Sequence, residues 1–347
     1  MSAVELATRW EPTRTRVLAV GILQYADRIC WPLEGRRDAV LMETLRARGV
    51  PADNLTFLTD AAGTIAGIEQ ALQDTLARSR PDELLLIYYA GHGARDEKHG
   101  GGAFSVRDGR LPVSQMFAAI ERGFAGRQAI LTADCCYSGS LALEAPLRAG
   151  RVAYAALGSS LSTVTSTGAW TFTNCWIDAL QGRVPVDLDG DGVLRLDELA
   201  RYAEARLCVC DGQVCSFAVA NGFPSTFELG PTRRRVHRRE GEFVQARNAT
   251  GDWARCEIVD VRPGDDGASR LVLRWIDDEG EITAFEHEVT PWQPRELAPG
   301  VAVTVRHGGK TYDGVVLAGR SGMHLVRYQG WDESWDEWVS PDRLVDA

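Results

Sequence analysis

The feature that most constrains this chain is a series of short apolar runs, each followed by an amphipathic stretch, from about Arg14 onward. Runs of strand length alternating with segments of helical period imply buried strands and helices taking turns around a largely parallel sheet. TRVLAVG reads as a first strand, Arg37 to Arg48 as a helix, NLTFLTD as a strand and Ile65 to Ala77 as a helix. DELLLIYYAGHG and RQAILTADCCYSGS are further strands, with a helix over Val113 to Arg122 between them. RVAYAALGSS adds another strand, and WTFTNCWIDAL and LDELARYAEARL two more helices. Two of these strands stop abruptly, one in Gly91, His92 and Gly93, the other in Cys136 and small residues. Open sheets of this kind bind ligands beyond the carboxyl ends of their strands, so His92 and the adjacent Cys135 and Cys136 arrive at the expected functional edge.

The pattern changes near Pro231. TRRRVHRRE is a compact Arg-rich run that reads as a linker over 231–240, and beyond it helical periodicity disappears. The C-terminal stretch consists of short strands with Gly/Asp turns, and Trp253, Trp275, Trp292, Trp331, Trp335 and Trp338 make six of the chain's ten tryptophans. FVQARNATGDWARCEIVDVR with LVLRWIDDEGEITAFEHEV parallels VTVRHGGKTYDGVVLAGR with HLVRYQGWDESWDEWVSPDRL. This repeat predicts two small β-barrels in tandem, over 241–295 and 296–347, after an N-terminal tail (1–13) and an α/β domain (14–230).

A length of 347 residues suits that division into a catalytic-sized unit and an appended module. No run of about 18 apolar residues is present to span a bilayer, and MSAVELATRWEPTRTR lacks the apolar centre of a secretory signal, so a cytoplasmic protein is expected. Eight scattered cysteines suit reduced thiols there. A net charge of −10 argues against a nucleic-acid partner. Among the 38 basic residues only Lys98 and Lys310 are lysine, a bias that fits a high-GC bacterial gene.

A thiolate nucleophile needs a nearby acid or base and backbone N–H groups for the oxyanion, all rigidly placed. Two parallel strands ending in His-Gly and in Cys, each followed by small residues, supply these. Here the chain resembles the caspase-like cysteine peptidases, peptidase family C14. The His92-to-Cys136 separation is close to the roughly 50 residues of caspases, and Asp134-Cys135-Cys136-Tyr137-Ser138-Gly139 is similar to the Asp-Ser-Cys-His-Ser-Gly segment of metacaspases and bacterial orthocaspases. The resemblance implies Cys136 as nucleophile, His92 as its partner, and the N–H groups of Gly93 and Cys136 as the oxyanion hole. Cys135 and Tyr137 depart from the family's Ser and His, which leaves Cys135 as the other thiol to test, although alternation puts it on the opposite side of the strand.

The Gln-Ala-Cys-x-Gly segment of true caspases is absent. Asp134 stands two before Cys136, and LEGRRDAV resembles the metacaspase Gly-x-Asn-Asp-Ala stretch, with Asp38 in the place of a pocket carboxylate. Two carboxylates beside the nucleophile suit a guanidinium, which they grip as a fork, so cleavage after Arg, and secondarily Lys, is expected. Asp38 could equally serve as a helix-start charge. Self-cleavage would fall at Arg148 or Arg151 in the segment after the nucleophile, or at Arg233 in the linker.

DLDGDGVLRLDE places Asp187, Asp189, Asp191, Gly192 and Glu198 at the first, third, fifth, sixth and twelfth positions of an EF-hand loop, with the Val193 carbonyl at the seventh. Pro185 interrupts the entry, so the alternative is an Asp/Gly turn capping the helix that starts near Leu196. Ca2+ is the one cofactor this suggests, as a modulator; the chemistry itself needs none. The last barrel resembles chromo-barrel and Tudor-like domains, in which aromatics at positions matching Tyr312, Tyr328, Trp331 and Trp335 form a cage for a methylated ammonium, with Trp338 in the core. The same tryptophans could instead be core of a tiny barrel. The expected partners are protein substrates, an activating protease or inhibitory partner, and a peptide or protein ligand of the barrels. The competing reading is an inactive caspase-like adaptor in which only the barrels recognise anything.

Overall fold

A computed structural model describes residues 6–25, 35–96, 101–183, 186–232, 240–263, 269–276, 280–292 and 296–345. The chain divides into two units, Met1–Gly182 with Val193–Ala203 and Cys215–Pro231, and Arg183–Gly192 with Glu204–Val214 and Thr232–Ala347.

The α/β region runs β1 (Thr15–Gly21), α1 (Arg37–Ala47), β2 (Leu55–Thr59), α2 (Ile65–Ala77), β3 (Leu84–Ala90), β4 (Gly93–Arg95), β5 (Gly102–Val106), β6 (Gly109–Pro112), α3 (Val113–Gly123), β7 (Gln128–Asp134), α4 (Ser140–Glu144), β8 (Ala153–Gly158), α5 (Thr171–Leu180), β9 (Val193–Arg195), α6 (Leu196–Asp211), β10 (Ser216–Ala220) and β11 (Glu228–Pro231). The main sheet has the order β10-β8-β7-β3-β1-β2. All its pairings are parallel except β10 against β8. Every residue of β1, β7 and β8 is buried, the burial expected of strands covered on both faces, which is why they read as unbroken apolar runs. On one face α2 presents Ile68, Leu72, Thr75 and Leu76, and α3 presents Val113, Met116, Phe117 and Ile120, a helical stripe in each case. Thr64 caps α2 by accepting the Gly67 N–H at 3.0 Å.

The second unit holds two five-stranded antiparallel sheets, ordered β15-β14-β13-β12-β16 and β20-β19-β18-β17-β21. The first comprises β12 (Phe243–Arg247), β13 (Trp253–Pro263), β14 (Ser269–Trp275), β15 (Glu281–Phe285) and β16 (Thr290–Pro291); the second comprises β17 (Ala302–His307), β18 (Lys310–Arg320), β19 (Met323–Tyr328), β20 (Glu337–Val339) and β21 (Leu344–Val345). The two sheets share one strand pattern, fourth, third, second, first and fifth in chain order. Each long second strand carries an irregularity in register, between Ile258 and Asp260 and between Val316 and Ala318. Each sheet has its own small core, including Val244, Ala246, Ile258 and Leu273 in one, and Val303, Val305, Val316, Val326 and Val339 in the other. Among the described residues no helix is long and apolar enough to cross a membrane.

Candidate functional site

Strand register sets the site. β3 and β7 are neighbours, with Ala90 opposite Asp134, so His92 and Cys136 each lie two residues past the ends of adjacent parallel strands. The Gly91 N–H reaches the Asp134 carbonyl at 3.4 Å, extending the ladder by one step. Gly93 is packed so closely on the next turn that a Cβ there would overlap the Cys136 carbonyl oxygen, meet its carbon at 2.7 Å and approach Cys135 Sγ to 3.2 Å.

The two thiols differ in environment. Cys135 lies in the core at 1% exposure, and burial pushes its thiol far up, with Cys136 and Asp134 adding to the effect. A thiol held protonated in this way is a poor nucleophile. Cys136 is half-buried, and its Sγ accepts the Ser166 N–H at 3.2 Å. Tyr137, next in the chain, has φ 59°, and its N–H donates to the Val164 carbonyl at 3.0 Å. The backbone of 164–166 therefore runs beside the nucleophile candidate.

Asp134 and Asp38 occur on the same side of the sheet: Asp134 and the buried Tyr88 phenol share the Thr173 hydroxyl, and a Cβ on Gly21, level with Ala90 and Asp134, would strike the Asp38 carboxylate. Neither carboxylate is without partners. Asp134 Oδ2 accepts the Thr173 N–H at 3.2 Å and its hydroxyl at 2.7 Å at the start of α5, while burial raises its carboxyl above the usual range against these bonds. Asp38 is fully buried in the first turn of α1 and is gripped by Arg36, Nη2 to Oδ2 at 2.6 Å and Nε to Oδ1 at 3.1 Å. The same guanidinium reaches Asp60 at 2.6 Å and the Gly21 carbonyl at 2.8 Å. The forked grip expected for a substrate arginine is thus made here by the chain's own Arg36.

Arg148 and Arg151 are anchored. Arg148 pairs with Glu144 and lies 5.6 Å over the Phe117 ring, and Arg151 donates to the Gly126 carbonyl at 2.7 Å. Arg233 lies outside the described residues.

In the acidic loop, carboxylate oxygens of Asp187, Asp189 and Asp191 lie within 4.8 Å of one another. Asp187 accepts the Gly190 and Gly192 N–H groups, and Gly192 takes φ 90° at the position where an EF-hand loop turns sharply. Three hard oxygen donors around one point fit a Ca2+-type cation. Glu198 Oε2 accepts the Arg195 N–H at 3.0 Å, and Val193 opens β9.

The second C-terminal sheet carries a cavity of about 330 Å³ lined by His307, Tyr312, Tyr328, Trp331, Ser334, Trp335, Asp336 and Glu337. All four predicted aromatics are there. Trp331 and Trp335 meet edge to face at 4.8 Å and are 46% and 57% exposed, more than core residues would be. Trp338 is only half-buried and stands outside the valine core, so its expected place inside it is not found. Glu337 bonds both Tyr328 and Arg343, and these bonds hold its carboxyl below the usual range although burial opposes them.

Sequence reasoning missed Arg36, Ser166 and Tyr25. Arg36 is the one with a local signal, since it stands two residues before the Asp38 it grips.

No family model matches the chain. A stretch of 55 residues is 38% identical to Protein MRG1 of Arabidopsis thaliana, covering 15% of this chain and 17% of that protein, so the match spans under a fifth of the relative's length. Among solved structures, protein GSU0716 of Geobacter sulfurreducens aligns with a TM-score of 0.46 and 14% identity over 63% of this chain and 100% of that one. Caspase-1 of Spodoptera frugiperda aligns with a TM-score of 0.44 and 12% identity over 68% of this chain and 98% of that one.

Proposed function

We propose that the chain is a cysteine endopeptidase cleaving after Arg, and secondarily Lys. The observation that carries this reading is the register of β3 and β7, which leaves His92 and Cys136 each two residues past the paired ends Ala90 and Asp134. In the proposed mechanism the Cys136 thiolate attacks the scissile carbonyl, the N–H groups of Gly93 and Cys136 hold the oxyanion, and His92 protonates the leaving amine. Water then hydrolyses the acyl-enzyme. Asp38 and Asp134 flank the pocket for the basic side chain, and a substrate guanidinium would replace Arg36 on Asp38, an exchange of like for like. Ca2+ would be held by Asp187, Asp189 and Asp191 with the Val193 carbonyl and Glu198, as a modulator rather than a reactant. Self-cleavage at Arg148 or Arg151 requires these anchored residues to open, and Arg233 completes that set. The experiment is hydrolysis of an Arg-aminomethylcoumarin peptide by wild type, Cys136→Ala and His92→Ala, with mass mapping of an alkylating inhibitor. Turnover lost in both variants and labelling at Cys136 are expected; full activity in Cys136→Ala refutes the reading. Calorimetry with millimolar Ca2+ tests the loop separately, and no heat removes the metal.

The half-exposed Trp331 and Trp335 favour a second role beside the first. The cavity they line would take a cationic group of a peptide or protein ligand, by cation–π attraction backed by Glu337. In the adaptor reading this is the whole function, and neither turnover nor labelling would be seen.

A further inference from the structure

His92 has to keep one orientation while it gives and takes a proton, and such imidazoles are held by a third group. The peptide and ring of His92 are held by a residue from a distant part of the chain. The His92 N–H donates to Tyr25 Oη at 2.9 Å, and Tyr25 Oη donates on to the Ser105 carbonyl at 2.9 Å. The Tyr25 ring lies 5.1 Å from the imidazole at an interplanar angle of 41°. From the other side the Tyr89 hydroxyl sits 2.8 Å from the His92 carbonyl, which also accepts the Ser105 N–H at 2.9 Å.

The placement of Tyr25 is itself built. After β1 the Ile22 N–H donates to the Ala90 carbonyl, and Asp60 Oδ1 accepts both the Leu23 and the Gln24 N–H at 2.9 Å. The chain that delivers Tyr25 is thus fixed to the ends of β3 and β2. Gly91 completes the arrangement, since a Cβ there would meet Tyr89 Oη at 2.6 Å, Tyr25 Oη at 2.9 Å and the Ile22 carbonyl at 3.0 Å. Only glycine lets both phenols close over the turn.

We propose that Tyr25 is a positioning residue for His92, holding its peptide by the phenol and its imidazole by the ring face. The proposal takes its reaction from the cysteine-peptidase reading above. Catalytic groups need placement within about 0.5 Å and 10–20°, so loosening the turn slows the chemical step while substrate binding persists. The test compares wild type, Tyr25→Phe, Tyr25→Leu and Tyr89→Phe as full chains. It measures kcat and KM on an Arg-aminomethylcoumarin peptide, the alkylation rate of Cys136 mapped by mass, and thermal unfolding. Tyr25→Phe is expected to lower kcat about tenfold with KM changed less than twofold, and Tyr25→Leu to lower it further and to slow alkylation severalfold. Tyr89→Phe separates the ring from the turn, because it removes a hydrogen bond at the His92 carbonyl but leaves the Tyr25 ring against the imidazole. Overturning results are wild-type kcat in both Tyr25 variants, or a loss in Tyr89→Phe as large as in Tyr25→Leu at equal melting temperature. A wild-type chain without hydrolysis whose Cys136 alkylation still depends on Tyr25 refutes the peptidase reading and supports the positioning. Hydrolysis that depends on Cys136 but not on Tyr25 does the reverse.

Discussion

Gly93→Ala is the sharpest perturbation of the site, because the reason for glycine there is space alone. Gly93 is not among the residues of positive φ, so an alanine meets no backbone penalty. Its methyl would lie 2.7 Å from the Cys136 carbonyl carbon and would overlap the oxygen. Non-bonded carbons relax to about 3.5 Å, so the carbon contact alone asks the His-Gly turn and the Cys136 peptide to separate by about 0.8 Å, and the overlapped oxygen asks for more. Neither side yields easily, since both are backbone at the ends of paired central strands. Overpacking of this kind costs about 1–3 kcal/mol. At about 2–4 °C per kcal/mol for a unit of this size, melting should fall by roughly 4–8 °C for ~2 kcal/mol. The effect on chemistry should be larger, because a displacement near 1 Å at reacting groups costs about 100-fold. The assay is calorimetric melting alongside kcat on an Arg-aminomethylcoumarin peptide and Cys136 alkylation. A variant that melts with wild type and labels at the wild-type rate refutes the close packing of the two turns and, with it, the geometry proposed for the oxyanion hole.

Other perturbations separate the parts. Arg36→Ala leaves Asp38 buried without its counter-ion, so a loss of about 3–5 kcal/mol is expected. Millimolar guanidinium should raise the melting temperature of this variant and not of wild type; no rise would show that the carboxylates do not accept a guanidinium from outside. Asp134 is raised above its ordinary range, so the folded state binds its proton more tightly than the unfolded chain does, and stability falls as pH climbs from about 4 through the raised value. Asp134→Asn lacks that slope, and its stability relative to wild type should improve across the window and stay level below it; parallel pH curves would contradict the burial argument. Trp335→Ala, at 57% exposure, should change stability by no more than about 0.5 kcal/mol. It should weaken binding of tetramethylammonium, followed by NMR, by about 2- to 30-fold, the equivalent of about 0.5–2 kcal/mol of cation–π attraction. An unchanged affinity removes the cage.

Periodicity decided which elements were legible in the sequence. β1, β3, β7 and β8 are buried on both faces, so each leaves an unbroken apolar signature, and α2 and α3 bury one stripe each. The hairpin sheet of β4, β5 and β6 left no such trace. Its strands are three to five residues long and each begins with glycine, too short for alternation to register. β10 was hidden for another reason: all its residues are half-buried at the sheet edge, so neither a run nor an alternation results.

The site shows the same division at the level of single residues. The places of His92 and Cys136 in the fold could be read because each follows the end of a strand that is itself legible, two residues beyond the paired Ala90 and Asp134. Asp38 could be read as a carboxylate but not as one already in use, because that depends on where the Arg36 guanidinium points, and an arginine side chain has enough rotamers to point elsewhere. Tyr25 carries no motif at all. Its role comes from Asp60, a residue on another strand's end that pins the Leu23 and Gln24 amides and so turns the ring toward His92. Asp60 does this from φ 43°, a left-handed conformation uncommon for L-residues and adopted more often by Asp and Asn than by most. Its one side chain accepts two amides with Oδ1 and pairs with Arg36 through Oδ2. Asp38, proposed as a pocket carboxylate, and the proposed positioning of His92 are therefore linked through a single aspartate. Asp60→Ala should in consequence lower kcat through Tyr25 and disturb the grip of Arg36 on Asp38 together, whereas Arg36→Ala should act more on selectivity for the basic side chain than on kcat.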